Sequence, residues 1–155
     1  MADSMKLNVK GVPDVEKALN ALTKRLDLAA RNSAYKGAIL VRNYAVREFR
    51  GRTSAAPQPT RPTARTGHLR DSIQVRDLQR TGNGWSAKVG PTQLYGRRVE
   101  LGFDGEVRGY TRKDGVSVAA HMAKSRPFPY MVPGFNASRP ELIALYNSEF
   151  RKALS

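Results

Sequence analysis

Cysteine is absent from the chain. That excludes a disulfide framework, a thiol nucleophile and any thiolate metal site. Histidine is scarce: His68 and His121 are the two in the sequence, and neither has partners at the spacing a metal site or a His-based triad needs. Long apolar runs are missing too. The longest fall far short of a membrane span, and the opening MADSMKLNVK has no apolar core, so no signal peptide is expected. The glycine clusters GNG and GFDG do not lie between a strand and a helix, as a phosphate-cradling loop must. Asp104 and Glu106 form a close acidic pair that reads as a solvated turn, since nothing apolar nearby would perturb them. Ser33, Ser54 and Ser72 have no nucleophile-elbow context. No catalytic, cofactor or metal residue is assigned, and an enzyme is not expected.

Acidic residues are also in short supply: 13 Asp and Glu stand against 27 Lys and Arg, for a net charge of +14. Such an excess suits nucleic acid, an acidic surface or an acidic protein neighbour. It suits plain solubility equally well, because the charge is spread along the chain.

What is present reads as one domain. A length of 155 residues with 40% hydrophobic side chains supports a modest core. Pro13 and Asp14 announce a helix, and Val15, Leu19, Leu22 and Leu26 follow at helical spacing. A second helix is expected over residues 29–49, where Ala30, Ala34, Ala38, Val41 and Ala45 make a narrow small-residue stripe. Residues 51–67 hold three prolines, several arginines and no acid. Such a segment buries too little apolar surface to offset its ordering entropy, so a mobile basic loop is expected.

The periodicity then changes. DSIQVRDL and WSAKVG alternate across TGNG and read as a β-hairpin. RRVELGF suggests a further strand, and EVRGYTRKDGVSVAAH a second hairpin turning at Lys113, Asp114 and Gly115. Ser138 and Glu141 have the spacing of a capping box, so the last helix is expected to start near Ser138 with Leu142, Leu145, Tyr146 and Phe150 on its apolar face. The order implies an α+β fold: two N-terminal helices and one C-terminal helix on a small antiparallel sheet, plus the long loop.

Taken in order, Gly11-Val12 with its helix, TGHLRDSI at 66–73, YGRRVELG at 95–102, and RPF at 126–128 with PGF at 133–135 resemble a family of phage proteins. These are the neck or tail-completion (head–tail joining) proteins of long-tailed bacteriophages, related to tail terminators. The resemblance spans nearly the whole chain. It implies a ring, hexameric as tail tubes commonly are, between the head connector or stopper and the tail tube or tail terminator. It implies double-stranded DNA passing non-specifically through the lumen, a virion location after synthesis in the host cytoplasm, and no catalysis, cofactor, membrane or small-molecule substrate. The alternative is a small basic DNA-binding or packaging-associated phage protein. Residues 103–123 depart from the family pattern as a hairpin-sized insertion.

On this reading Leu69 and Ile73 anchor the first strand, with Tyr95, Val99 and Leu101 in the core. Arg70 points outward, and Arg98 and Glu100 lie on the face opposite Val99 and Leu101. Arg70, Arg97, Arg98 and Glu100 are candidate subunit contacts, the last three fitting solvated strand residues equally well. Arg52, Arg61 and Arg65 are candidate contacts to DNA or a partner. The segment KSRPFPYMVPGF gathers three prolines and three aromatics. Prolines reduce the entropy lost when an arm docks, and aromatics anchor interface cores. Pro129, Tyr130, Met131 and Pro133 are therefore expected at an interface, with Phe128 and Phe135 turned inward.

Overall fold

A computed structural model describes residues 11–49, 62, 64 and 66–155. Arg52, Arg61, Arg65 and most of the expected mobile loop lie outside the described residues. The fold is α+β.

One helix, α1 (Val12–Arg47), replaces the expected N-terminal pair. Between Leu26 and Ala29 stand only Asp27 and Leu28. Neither is a glycine or proline, so nothing interrupts the hydrogen-bond ladder. Gly11 precedes the helix in the left-handed region at φ 99°, and Pro13 sits in the first turn, where its missing N–H is harmless. Next comes the four-residue α2 (His68–Asp71), then the expected hairpin, β1 (Ile73–Thr81) with β2 (Gly84–Pro91). Their register runs from Ile73 opposite Pro91 to Thr81 opposite Gly84, with an irregularity between Arg76 and Gln79. Asp77, at φ 53°, lies inside it.

YGRRVELG is not a strand. Gly96–Leu101 form a short helix, α3. The apolar–polar alternation there spans too few residues to separate the two periods. Helical geometry half-buries Val99, leaves Leu101 and Tyr95 largely exposed, and removes the latter two from the expected core. Gly96 is buried because Pro91 presses on it: a Cβ there would meet the proline ring at 2.4 Å.

The second hairpin is a long ribbon. β3 (Phe103–Val107) pairs with β6 (His121–Ser125), and β4 (Tyr110–Thr111) with β5 (Ser117–Val118). The two ladders share one register, so they form a single two-stranded arm broken at residues 108–109 and 119–120. Its contacts are overwhelmingly with itself.

The last helix, α4 (Met131–Leu154), starts a full two turns before Ser138. The Ser138 hydroxyl donates to the Phe135 carbonyl inside the helix, and Pro140 is an interior residue. α4 lies antiparallel along α1. Gly134 meets Ala45, Gly37 meets Leu142, and Lys36 bonds Glu149 at 2.8 Å. Tyr44 and Glu141 add a further hydrogen bond between the two helices. The Lys36 ammonium holds the Glu149 carboxyl below its ordinary value. The small-residue stripe does what its composition predicts: a Cβ on Gly134 would come within 2.6 Å of the Ala45 backbone, so only glycine allows this approach.

The core is small. Ala45, Leu69, Ile73 and Tyr130 form its buried centre, flanked by Val46, Phe49, Val89, Val99 and Met131.

Candidate interface surfaces

The expected interface residues do not form one outward patch. Tyr130 is fully buried, against expectation. Its ring packs on Phe49 with centroids 4.8 Å apart, and its hydroxyl donates to the Gly96 carbonyl at 3.2 Å. Burial first, and the nearby Glu100 carboxylate second, push its phenol up to about 12. Phe135, expected inside, is about half exposed at 48%. The two aromatics exchange roles because α4 begins at Met131. Tyr130 becomes the residue just before the helix, turned into the corner between α1 and α3, while Phe135 falls on a helix face that α1 does not fully cover.

Glu100 is not a free outward charge either. Its Oε2 accepts hydrogen bonds from the Tyr130 and Met131 backbone N–H groups at 2.7 and 2.9 Å, and Oε1 accepts from Val132 N–H at 3.1 Å. Three orphan donors of α4 and the positive end of its dipole are satisfied by one carboxylate from α3. This remote cap lets the helix start without Ser138. A charged residue some 30 positions before a proline-rich helix start is the only sequence signal of it, and spacing alone does not pair the two.

The arginines stay on the surface. Arg70 is exposed but already bonded to its neighbour Asp71, Nε to Oδ1 at 2.9 Å. That contact holds the Arg70 pKa above and the Asp71 pKa below their ordinary values. Arg98 lies over the Phe103 ring at 4.2 Å, where the ribbon begins. Arg97, Glu100, Tyr130 and Met131 are brought together around a groove of about 510 Å³ that also carries Leu94, 97% exposed. Pro129 and Pro133 are half-buried, and Pro133 stands in the first turn of α4.

A larger apolar groove, about 550 Å³, was not foreseen. Its floor is α1 at Ala34, Gly37, Ala38 and Val41. One wall is β2 at Trp85, Ala87 and Val89, and the other is α4 at Val132, Phe135, Leu142 and Tyr146. Trp85 is held in place from α1: its indole N–H donates to Asp27 at 3.0 Å, Arg80 joins the same carboxylate at 3.2 Å, and Arg31 lies over the ring at 5.6 Å. The sequence signal was present in the wide spread of small residues along α1, but a groove needs three elements, and their placement is tertiary.

Packing on α1 thins on the N-terminal side of Asp27, where Leu26 and Leu22 are half-buried, and ends before Leu22. Residues 11–21 are all exposed, with Val12, Val15 and Leu19 at 55–60%. The amphipathic stripe read from the sequence is real, but its first part has no neighbour among the described residues. His68 and His121 are exposed, and among the described residues no cluster of three His, Asp or Glu could hold a metal ion. No described helix is long and apolar enough to cross a membrane.

Comparison with known proteins matches residues 13–102 to a family described as "Bacteriophage HK97-gp10, putative tail-component". The matched stretch runs from the first turn of α1 through α3 and stops one residue before the ribbon. No curated protein and no solved structure matches the chain.

Proposed function

The chain belongs to the HK97-gp10-like family of bacteriophage tail components, and from that premise we propose that it is the subunit of a ring at the head–tail junction. A tail component works in the virion among other virion proteins. The finer reading is that copies of this chain join the head connector to the tail tube and leave a lumen for double-stranded DNA, acting by contact without catalysis. The observation that carries it is the distribution of apolar surface. Val12, Val15, Leu19, Leu94, Val132 and Phe135 are each about half exposed or more, on faces that no described element covers. Apolar side chains grouped along the start of α1 and beside the grooves support an assembling protein. The net charge of +14 supports passage of DNA past the same subunits.

Closed rings use heterologous contacts, in which one side of a subunit meets the other side of the next. Six copies per particle are expected. A reconstruction of the neck in intact particles checks this. Twelve copies, one copy, or density for this chain far from the junction would overturn the reading.

A further inference from the structure

The bare end of α1 and the apolar groove are two halves of one contact. We propose that the projecting N-terminal part of α1 in one copy seats Val12, Val15, Leu19 and Leu22 in the groove between α1, β2 and α4 of the next copy. This rests on the ring reading only for its location in the virion.

Three observations carry it. First, the stripe at Val15, Leu19, Leu22 and Leu26 continues toward the C-terminus as Ala29, Ser33 and Gly37, which are buried. The same helix face is therefore covered by α4 along one part of its length, half-buried at Leu22 and Leu26, and free of any described neighbour from Leu19 back to Val12. α4 spans Met131–Leu154. Running antiparallel to α1, α4 passes Gly37 at Leu142 and Ala45 at Gly134, so the remaining turns reach no further than the region of Asp27. Second, the stripe can meet such a groove only in another copy. The stripe and the groove floor at Ala34, Gly37, Ala38 and Val41 belong to one unbroken helix. A copy cannot place the start of α1 against the middle of its own α1 without breaking it. Third, the chemistry matches. The stripe is aliphatic, with Asp14, Lys17 and Lys24 off it in the sequence. The groove offers it the apolar side chains of Trp85, Val132, Phe135 and Tyr146.

Each copy thus offers one stripe and one groove at different places. Joined head to tail, such pairs close into rings when the rotation allows; exchanged reciprocally, they close as a two-fold pair.

Because the chain has no cysteine, cross-linking has a clean background. Leu19→Cys and Val132→Cys are made as separate full-length proteins, mixed, oxidised and run without reductant. The expected result is a heterodimer band far above that of either protein alone. Met122→Cys, on the ribbon, mixed with Val132→Cys is the rival arm. A dominant product there means the ribbon fills the groove, and the proposal falls. A readout without oxidation uses Val15→Asp with Leu19→Asp. Both sites are exposed, so the thermal midpoint should hold, while self-association in sedimentation weakens about 30-fold or more. Unchanged association in that variant overturns the docking.

The same cysteine pairs in purified particles separate the two readings. Cross-linked chain found away from the neck defeats the ring location and leaves the docking standing. Six copies at the neck without the Leu19–Val132 product defeat the docking and leave the ring.

Discussion

The two ends of α1 obey different rules. Near its C-terminus, Ala45 is sealed from water together with Ile73 and Tyr130, and the Arg42 guanidinium donates to the Ile73 carbonyl at 2.8 Å. Near its N-terminus, Val12, Val15 and Leu19 are more than half exposed, although the helix is just as regular there. The apolar spacing is similar in both. What differs is whether another described element lies opposite. In a monomer the buried end supplies stability and the bare end is in reserve. The ribbon at residues 103–125 belongs with the bare end: an isolated pair of strands is marginally stable in water, and this one draws little support from the helices.

The sharpest way to break the contrast is to spoil the sealed end. Gly134→Val places a Cβ within 2.6 Å of the Ala45 backbone and must push α4 off α1. Over-packing of this kind is expected to remove about 3 kcal/mol or more. For a chain of this size that is roughly 10 °C in thermal midpoint, measured by circular dichroism. A midpoint within about 2 °C of the parent would show that the corner is not the stabilising region.

A gentler change at the same corner tests how it is held. Tyr130→Phe keeps the ring against Phe49 and deletes the bond to the Gly96 carbonyl. The expected loss is about 1 kcal/mol near neutral pH. The sign of the pH dependence follows from the phenol, whose folded pKa is raised to about 12 from an ordinary 10. Its neutral form is favoured in the folded protein. The associated stability is intact below pH 10 and is lost as pH climbs from 10 toward 12, where the unfolded chain ionises first. The parent protein should therefore fall toward the variant in alkaline melts. A constant gap between them up to pH 11.5 would mean that Tyr130 is not sealed.

The smallest effect is expected where nothing packs. Replacing residues 105–123 with a single Asn-Gly turn removes most of the ribbon and leaves Asp104 and Lys124 paired across the shortened hairpin. The midpoint should move by no more than about 2 °C, in line with the roughly 0.5 kcal/mol typical of surface changes. A drop as large as that of Gly134→Val would place the ribbon in the core and end the comparison.

Much of this was legible before any coordinates. The β1–β2 hairpin follows from two alternating runs about a strong turn signal, and Leu69 and Ile73 are buried as their positions require. Local rules suffice there because the partners are neighbours in sequence. They also suffice for the amphipathic start of α1, while the expected pair of helices is one, because no breaking residue lies between Leu26 and Ala29. The residues of YGRRVELG fit a strand or a helix equally over so short a span, and packing of Gly96 under Pro91 selected the helix.

The sequence by itself determined the helix periodicity, the turns and the surplus of positive charge, because each depends on residues within a few positions of one another. Tertiary structure alone decided that Glu100 caps α4, that Tyr130 is buried and Phe135 bared, and that α1, β2 and α4 enclose an apolar groove. In each of those the interacting groups lie about 30 or more positions apart. A buried ring or a satisfied N–H is the property of a place in space, which the chain reaches only when its distant parts have closed around it.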